Sequence, residues 1–209
     1  MTKKRIIILV LIAVIGFALS FAVGLAIKRS GSIPSAQEDN LVAVTDDAFG
    51  GPFTLSDQTG KTVTEKDFAG KYRLIYFGFT YCPAICPTEL SKITATLTAL
   101  GPAGRNIVPV FITVDPERDT VDKMKNYVSL FHPSLIGLTG TPEQIKAVLK
   151  DYKIYAAKRQ DEGMSDYTMD HSSFIYFMGP DDRLLHIFKT QDTADSMAKT
   201  ISGWLEHAK

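Results

Sequence analysis

The chain has 209 residues, and its 23 Lys+Arg against 23 Asp+Glu leave a formal charge of zero. A neutral chain lacks the basic excess of a nucleic-acid-binding protein, and with no internal repeat the solenoid architectures drop out. Beyond an N-terminal apolar run, about 160 residues remain, which is the size of one globular domain.

Residues 6–27 (IIILVLIAVIGFALSFAVGLAI) hold 22 positions without a charge. About 20 apolar residues in a helix cover the ~30 Å hydrocarbon core, so Ile6–Ile27 is expected to be a transmembrane anchor. Lys3, Lys4 and Arg5 precede it and Lys28 and Arg29 follow it. That weak positive-inside bias puts residues 1–5 in the cytosol and the bulk of the chain outside it. The competing reading is a cleaved signal peptide, whose apolar region is shorter, about 7–15 residues, and ends in a small-residue cleavage site. Lys28 and Arg29 follow this run directly, with no such site. Five residues ahead of the span leave no room for a transit peptide, so the expected location is a bacterial inner membrane with the domain on the periplasmic side. Residues 28–48 are polar, without sustained periodicity, and read as a tether; 49–209 form the domain.

The domain opens with a short hairpin, Phe53–Leu55 and Lys61–Val63, around a turn at Gln58, Thr59 and Gly60. Arg73–Phe79 and Ile107–Val114 are continuous apolar runs, the pattern of central strands covered on both faces. Pro109 argues against a fully central second strand, or moves its pairing off that residue. Between them Leu90, Ile93, Leu97 and Leu100 mark one face of a helix from about Pro87, so the two strands should be parallel. A second helix follows Asp119–Thr120, and a third opens at Thr141 with Pro142 and a Gln144 capping box. Phe174–Met178 and Leu184–Phe188 flank a Gly179-Pro180-Asp181-Asp182 turn. A last helix carries Met197, Ile201, Trp204 and Leu205. A βαβ unit followed by ββα is the plan of a thioredoxin-like α/β sheet, here with an added N-terminal hairpin.

The only two cysteines, Cys82 and Cys86, stand where the first core strand gives way to its helix. A helix N-terminus stabilises a thiolate, and a spacing of four puts both sulfurs on one side of the first turn. A structural disulfide is possible outside the cytosol, but so short a loop gains little from one. A redox-active pair is a second possibility. Two soft thiolates with an imidazole would instead hold Cu(I) or zinc. Of His132, His171, His186 and His207, His171 is the best placed. It precedes the third core strand, on the loop that a thioredoxin-like sheet brings up to the cysteines.

Four stretches carry a family resemblance: GGPFTLSDQTGK at 50–61, DFAGKYRLIYFGFTYCPAICP at 67–87, FITVDPERDT at 111–120 and YTMDHSSFIYFMGPDDRLL at 167–185. Over nearly all of residues 50–190 the chain resembles the SCO/SenC family of copper-handling proteins. The resemblance implies a thioredoxin-like fold and a metallochaperone that binds one copper, as Cu(I) and in some states Cu(II). Its ligands fall on Cys82, Cys86 and His171. It implies delivery to the copper-accepting subunit of cytochrome c oxidase while the binuclear copper centre is assembled, with an upstream copper donor or thiol reductant. Asp170 matches the acidic neighbour of the histidine and is expected to tune the imidazole. Asp115, Pro116, Arg118 and Asp119 match the DPxRDT string, with the expected job of fixing the loop after the second strand. One departure is Ala84, where the family often has Asp; another is Tyr81. Loss of a carboxylate beside two thiols lowers their pKa and changes the charge around the metal. The alternative function is a membrane-anchored thiol–disulfide oxidoreductase acting through Cys82 and Cys86. A thiol peroxidase is weaker still, because no arginine is singled out beside a peroxidatic cysteine.

Overall fold

Tyr72–Gly78 (β3) and Ile107–Thr113 (β4) are the two apolar runs, and they pair in parallel from Tyr72↔Ile107 to Gly78↔Thr113. They are joined by helix α1, Ile85–Leu100, whose Leu90, Ile93, Leu97 and Leu100 are all buried. The computed structural model describes residues 49–207, so the expected anchor Ile6–Ile27 and the tether 28–48 lie outside the described residues. Among the described residues no helix is long and apolar enough to cross a membrane.

The other strands are β1 (Thr54–Asp57), β2 (Thr62–Thr64), β5 (Ile136–Thr139), β6 (Ala156–Arg159), β7 (Thr168–His171), β8 (Ile175–Met178) and β9 (Leu184–Phe188). Helices α2 (Val121–Val128), α3 (Pro142–Asp151) and α4 (Ala194–His207) follow in order. Seven strands form one sheet in the order β2-β1-β5-β4-β3-β8-β9, while β6 and β7 make a separate ribbon. The sheet is a thioredoxin-like α/β arrangement: β3-α1-β4, then the antiparallel pair β8-β9 and α4. The hairpin β1-β2 is attached at the far side through β5.

Local sequence explains most boundaries. Thr120 caps α2 by accepting the Lys123 N–H, and Thr141 with Gln144 forms the expected capping box of α3. Pro109 sits in a central strand after all. It is in register with Leu74, and pairing with β5 begins one residue later at Val110↔Ile136, so its missing N–H falls ahead of that ladder. Arg73, although buried in β3, is ion-paired to Asp182 in the β8-β9 turn.

Two features were not expected. Strand β5 sits next to β4 and is built around Gly137, where a Cβ would lie 2.5–2.7 Å from Met124 and Val128 of α2. The β6-β7 ribbon pairs Ala156 with His171, so His171 ends a strand instead of lying in a plain loop before β8.

Candidate metal centre

The last residues of β3 decide how the cysteine loop leaves the sheet. Gly78 has an ordinary backbone, yet a Cβ there would stand 2.8 Å from the Cys86 sulfur and 3.0 Å from Phe111 and Tyr76. Only glycine lets the helix bring Cys86 that close to the strand. Thr80 then turns the chain. Its N–H and hydroxyl both donate to Asp119, at 3.0 and 2.6 Å, and Thr113 at the end of β4 donates to the same carboxylate at 2.6 Å.

Helix α1 starts without a conventional cap, since Ala84 at its N-cap offers no side-chain acceptor. The Cys82 sulfur takes that place, accepting the Cys86 N–H at 3.3 Å. A free helix N–H and the positive end of the helix are where a thiolate is most stable.

The sulfurs of Cys82 and Cys86 and a ring nitrogen of His171 all lie within 4.8 Å of one another. Cys86 Sγ is 3.5 Å from His171 Nε2, while Nδ1 of the same ring is 3.0 Å from the Ser172 carbonyl oxygen. That carbonyl fixes the ring so that Nε2 faces the sulfurs. Bonds of about 2.0–2.3 Å to nitrogen and sulfur put two ligands of one ion no more than about 4.6 Å apart, so the three atoms need only small shifts to share an ion. Both thiols are free.

The pair hold their protons unequally. The Cys82 thiol is lowered to about 4, first by a hydrogen bond from the Cys86 thiol, and also by His171 and the N–H groups of Cys86 and Ala84, against the opposing effect of burial. The Cys86 thiol is pushed up, because it is the donor in that hydrogen bond and because it is buried. Exposure follows the same division: Cys82 retains 8% and Cys86 none.

Aromatic groups wall the centre. The Tyr76 hydroxyl donates toward Cys86 Sγ at 3.7 Å, and the Phe79 ring meets His171 edge-on at 5.7 Å. Tyr76 is driven to keep its proton, chiefly by burial and then by the adjacent Cys86 sulfur. Beneath the loop, Arg118 binds Asp115 and the Tyr167 carbonyl, and stacks on Tyr167 at 3.7 Å and Tyr81 at 4.8 Å. The Asp115–Asp119 string therefore fixes its own loop, as expected, and also ties it to the cysteine loop and to the segment leading to His171.

One expectation about the surroundings is corrected. The Asp170 carboxylate pairs with Arg159 at 3.2 Å, because adjacent strand residues point to opposite sides; the Ser172 carbonyl is the partner of His171. The other histidines are engaged elsewhere: His132 with Ser134, His207 with the Gly203 carbonyl, and His186 against the Phe188 ring. Sequence reasoning missed Tyr76, Gly78 and Thr80. Gly78 alone gave a signal, as a glycine inside an otherwise apolar strand.

Residues 43–206 match the SCO1/SenC family model. The chain is 48% identical over 151 residues to Protein SCO1 homolog 1, mitochondrial, of Arabidopsis thaliana, covering 72% of this chain and 45% of that protein. The chain thus spans about half the length of that curated relative. The crystal structure of Arabidopsis thaliana ScoI with copper bound superposes with a TM-score of 0.73 at 45% identity, covering 77% of this chain and 99% of that one. A structure of BsSco, described as a member of the Sco family of cytochrome c oxidase assembly proteins with a disulfide switch, superposes at 0.58 with 26% identity, covering 75% and 92%. Fold, motif and matched length agree: the chain belongs to the SCO1/SenC family.

Proposed function

We propose that the chain is a copper chaperone that binds one Cu(I) through Cys82, Cys86 and His171 and delivers it during assembly of the binuclear copper centre of cytochrome c oxidase. The observation that carries this is the convergence of two sulfurs at the β3–α1 junction and one imidazole nitrogen from the end of β7 within 4.8 Å. Among the described residues the cluster has three members, which suits Cu(I) better than a tetrahedral zinc site. Copper-bound structures of relatives support the same reading. The acceptor is the copper-binding subunit of that oxidase, and an upstream donor or reductant supplies copper and reduced thiols. The anchor Ile6–Ile27, the tether 28–48 and a periplasmic domain belong to the proposal, supported by the uncharged run and the basic residues that flank it.

Copper enters as cargo. Cys82 is the more exposed sulfur and its thiol is lowered, so it meets the ion first. Cys86 gives up its proton as it binds, and the Ser172 carbonyl keeps His171 turned toward the sulfurs. The lowered Cys82 thiol would also serve a thiol–disulfide oxidoreductase, and His171 separates the two readings, since disulfide exchange does not need it. Full-length protein purified in detergent under reducing conditions, with copper supplied, should carry about one copper per chain. The Cys82→Ser/Cys86→Ser variant should carry none, and stoichiometric copper in that variant would remove the site. His171→Ala should retain disulfide exchange yet fail to support oxidase assembly at limiting copper. Normal assembly by that variant would give the function to the reductase.

A further inference from the structure

Two of the exposed large apolar side chains of the domain, Tyr81 at 51% and Leu130 at 74%, meet in one groove beside the centre. The groove, about 470 Å³, runs between the cysteine loop (Thr80, Tyr81) and one face of α2 and its extension (Lys123, Asn126, Tyr127, Leu130). Tyr81 is half exposed but not loose. The Arg118 guanidinium lies 4.8 Å from its ring, and the Lys123 ammonium donates to its hydroxyl at 3.2 Å. An aromatic ring fixed in advance loses little freedom when a partner covers it. Among the described residues Lys123 is the one charged side chain lining the groove.

We infer that this groove is where the copper acceptor docks, placing an apolar side chain against Tyr81 and Leu130 and a carboxylate at Lys123. The inference rests on the chaperone reading. Transfer by ligand exchange needs an acceptor thiolate to reach the ion while this chain still holds it. Cu(I) keeps its oxidation state, and each acceptor sulfur that bonds to it displaces one ligand here. Cys86 is sealed and Cys82 is not, so the approach is through Cys82, which follows the groove residues Thr80 and Tyr81 directly in the chain. A partner seated there has its own ligands beside the exchange point. Apolar Tyr155 and Phe174 are also exposed, on the His171 side, but do not line this groove.

The test uses the full chain in detergent, loaded with one Cu(I), and the reduced, copper-free soluble domain of the oxidase copper subunit from the same source. Leu130→Ser and Lys123→Glu should each slow transfer about tenfold or more, with the parent rate falling as salt rises. Both variants should still hold one copper and lose it to a small chelator such as bathocuproine disulfonate at the parent rate, which excludes damage to the centre. Tyr155→Ser should transfer within about twofold of the parent. Transfer by Leu130→Ser within about twofold of the parent overturns the docking site, as does a slowing seen only with Tyr155→Ser. If Leu130→Ser instead dissolves a dimer of the chain without slowing transfer, the groove belongs to a second copy and the inference falls. A parent that loads copper but gives none to this domain overturns the chaperone reading, and the docking site with it.

Discussion

Cys82 and Cys86 are four residues apart: its role as donor to Cys82 and its burial push the Cys86 thiol up, while that donor and the helix N–H groups pull the Cys82 thiol down. Copper must displace the Cys86 proton. With the Cys82 thiol lowered to about 4, neutral solution finds one sulfur ionised and one protonated. The sign follows directly: above pH 4 the first proton is already gone, and below it both must leave. Calorimetric titration with Cu(I) near pH 7, repeated in buffers of different ionisation enthalpy, should report about one proton released by the sulfurs per copper once the proton lost by His171, followed by NMR, is subtracted, rising toward two as pH falls through 4. A release of two protons at pH 7 would show that Cys82 is an ordinary thiol and that the helix end does not hold its charge. The Cys82→Ser variant should in turn weaken the start of α1, because the sulfur is also its cap.

At the scale of elements, the centre is held by the ends of β3 and β4 meeting on one buried carboxylate. Asp119 accepts two bonds from Thr80 and one from Thr113, while Thr139 of β5 donates to its carbonyl at 2.6 Å. Burial pushes its carboxyl up, and those donors pull it back. Asp119→Ala should cost about 3 kcal/mol or more, since bonds to a buried charge are each worth about 1.5–3 kcal/mol. It should also weaken copper binding by freeing the cysteine loop. Thr113→Val removes the tie to β4 and also the acceptor of the buried Asp115 N–H, so it should cost about 1–3 kcal/mol and, with both Thr80 bonds to Asp119 kept, leave copper affinity within a few-fold. Denaturant melts of the copper-free chain and chelator competition on the loaded one read the two effects separately. An Asp119→Ala chain that holds copper like the parent would reduce this network to fold support. The sequence made β3, β4, α1 and the capped helices legible, because long apolar runs and helical spacing carry their own period. It hid β5, where Gly137 interrupts a four-residue strand, and the β6-β7 ribbon, whose pairing residues are mostly polar and none of them buried. Cysteines at a strand–helix junction could be read as reactive from local spacing. The choice of His171 over three other histidines needed the fold, which closes a gap of 85 residues to 3.5 Å.

On the scale of the whole molecule, the centre lies where the two parallel strands end, the position at which open α/β sheets bind ligands. The cysteine loop leaves from that edge and its Thr80 and Tyr81 line the proposed groove. The proposed anchor can be tested by how the chain is attached to membranes. Twenty-two uncharged residues at 6–27 suffice to span, and the five basic residues around them would act only at the surface. Salt distinguishes the two: electrostatic attachment is screened within ~10 Å at 0.1 M and much closer at 1 M, whereas an inserted apolar helix does not respond to ionic strength. The protein should stay with membranes through a 1 M salt wash and leave only with detergent. Protease added to the non-cytosolic side should digest the domain, and protease confined to the cytosolic side should leave it whole. A mature chain whose first residue lies near Ser30 would show that 6–27 is a cleaved leader, leaving the domain exported but free of the membrane.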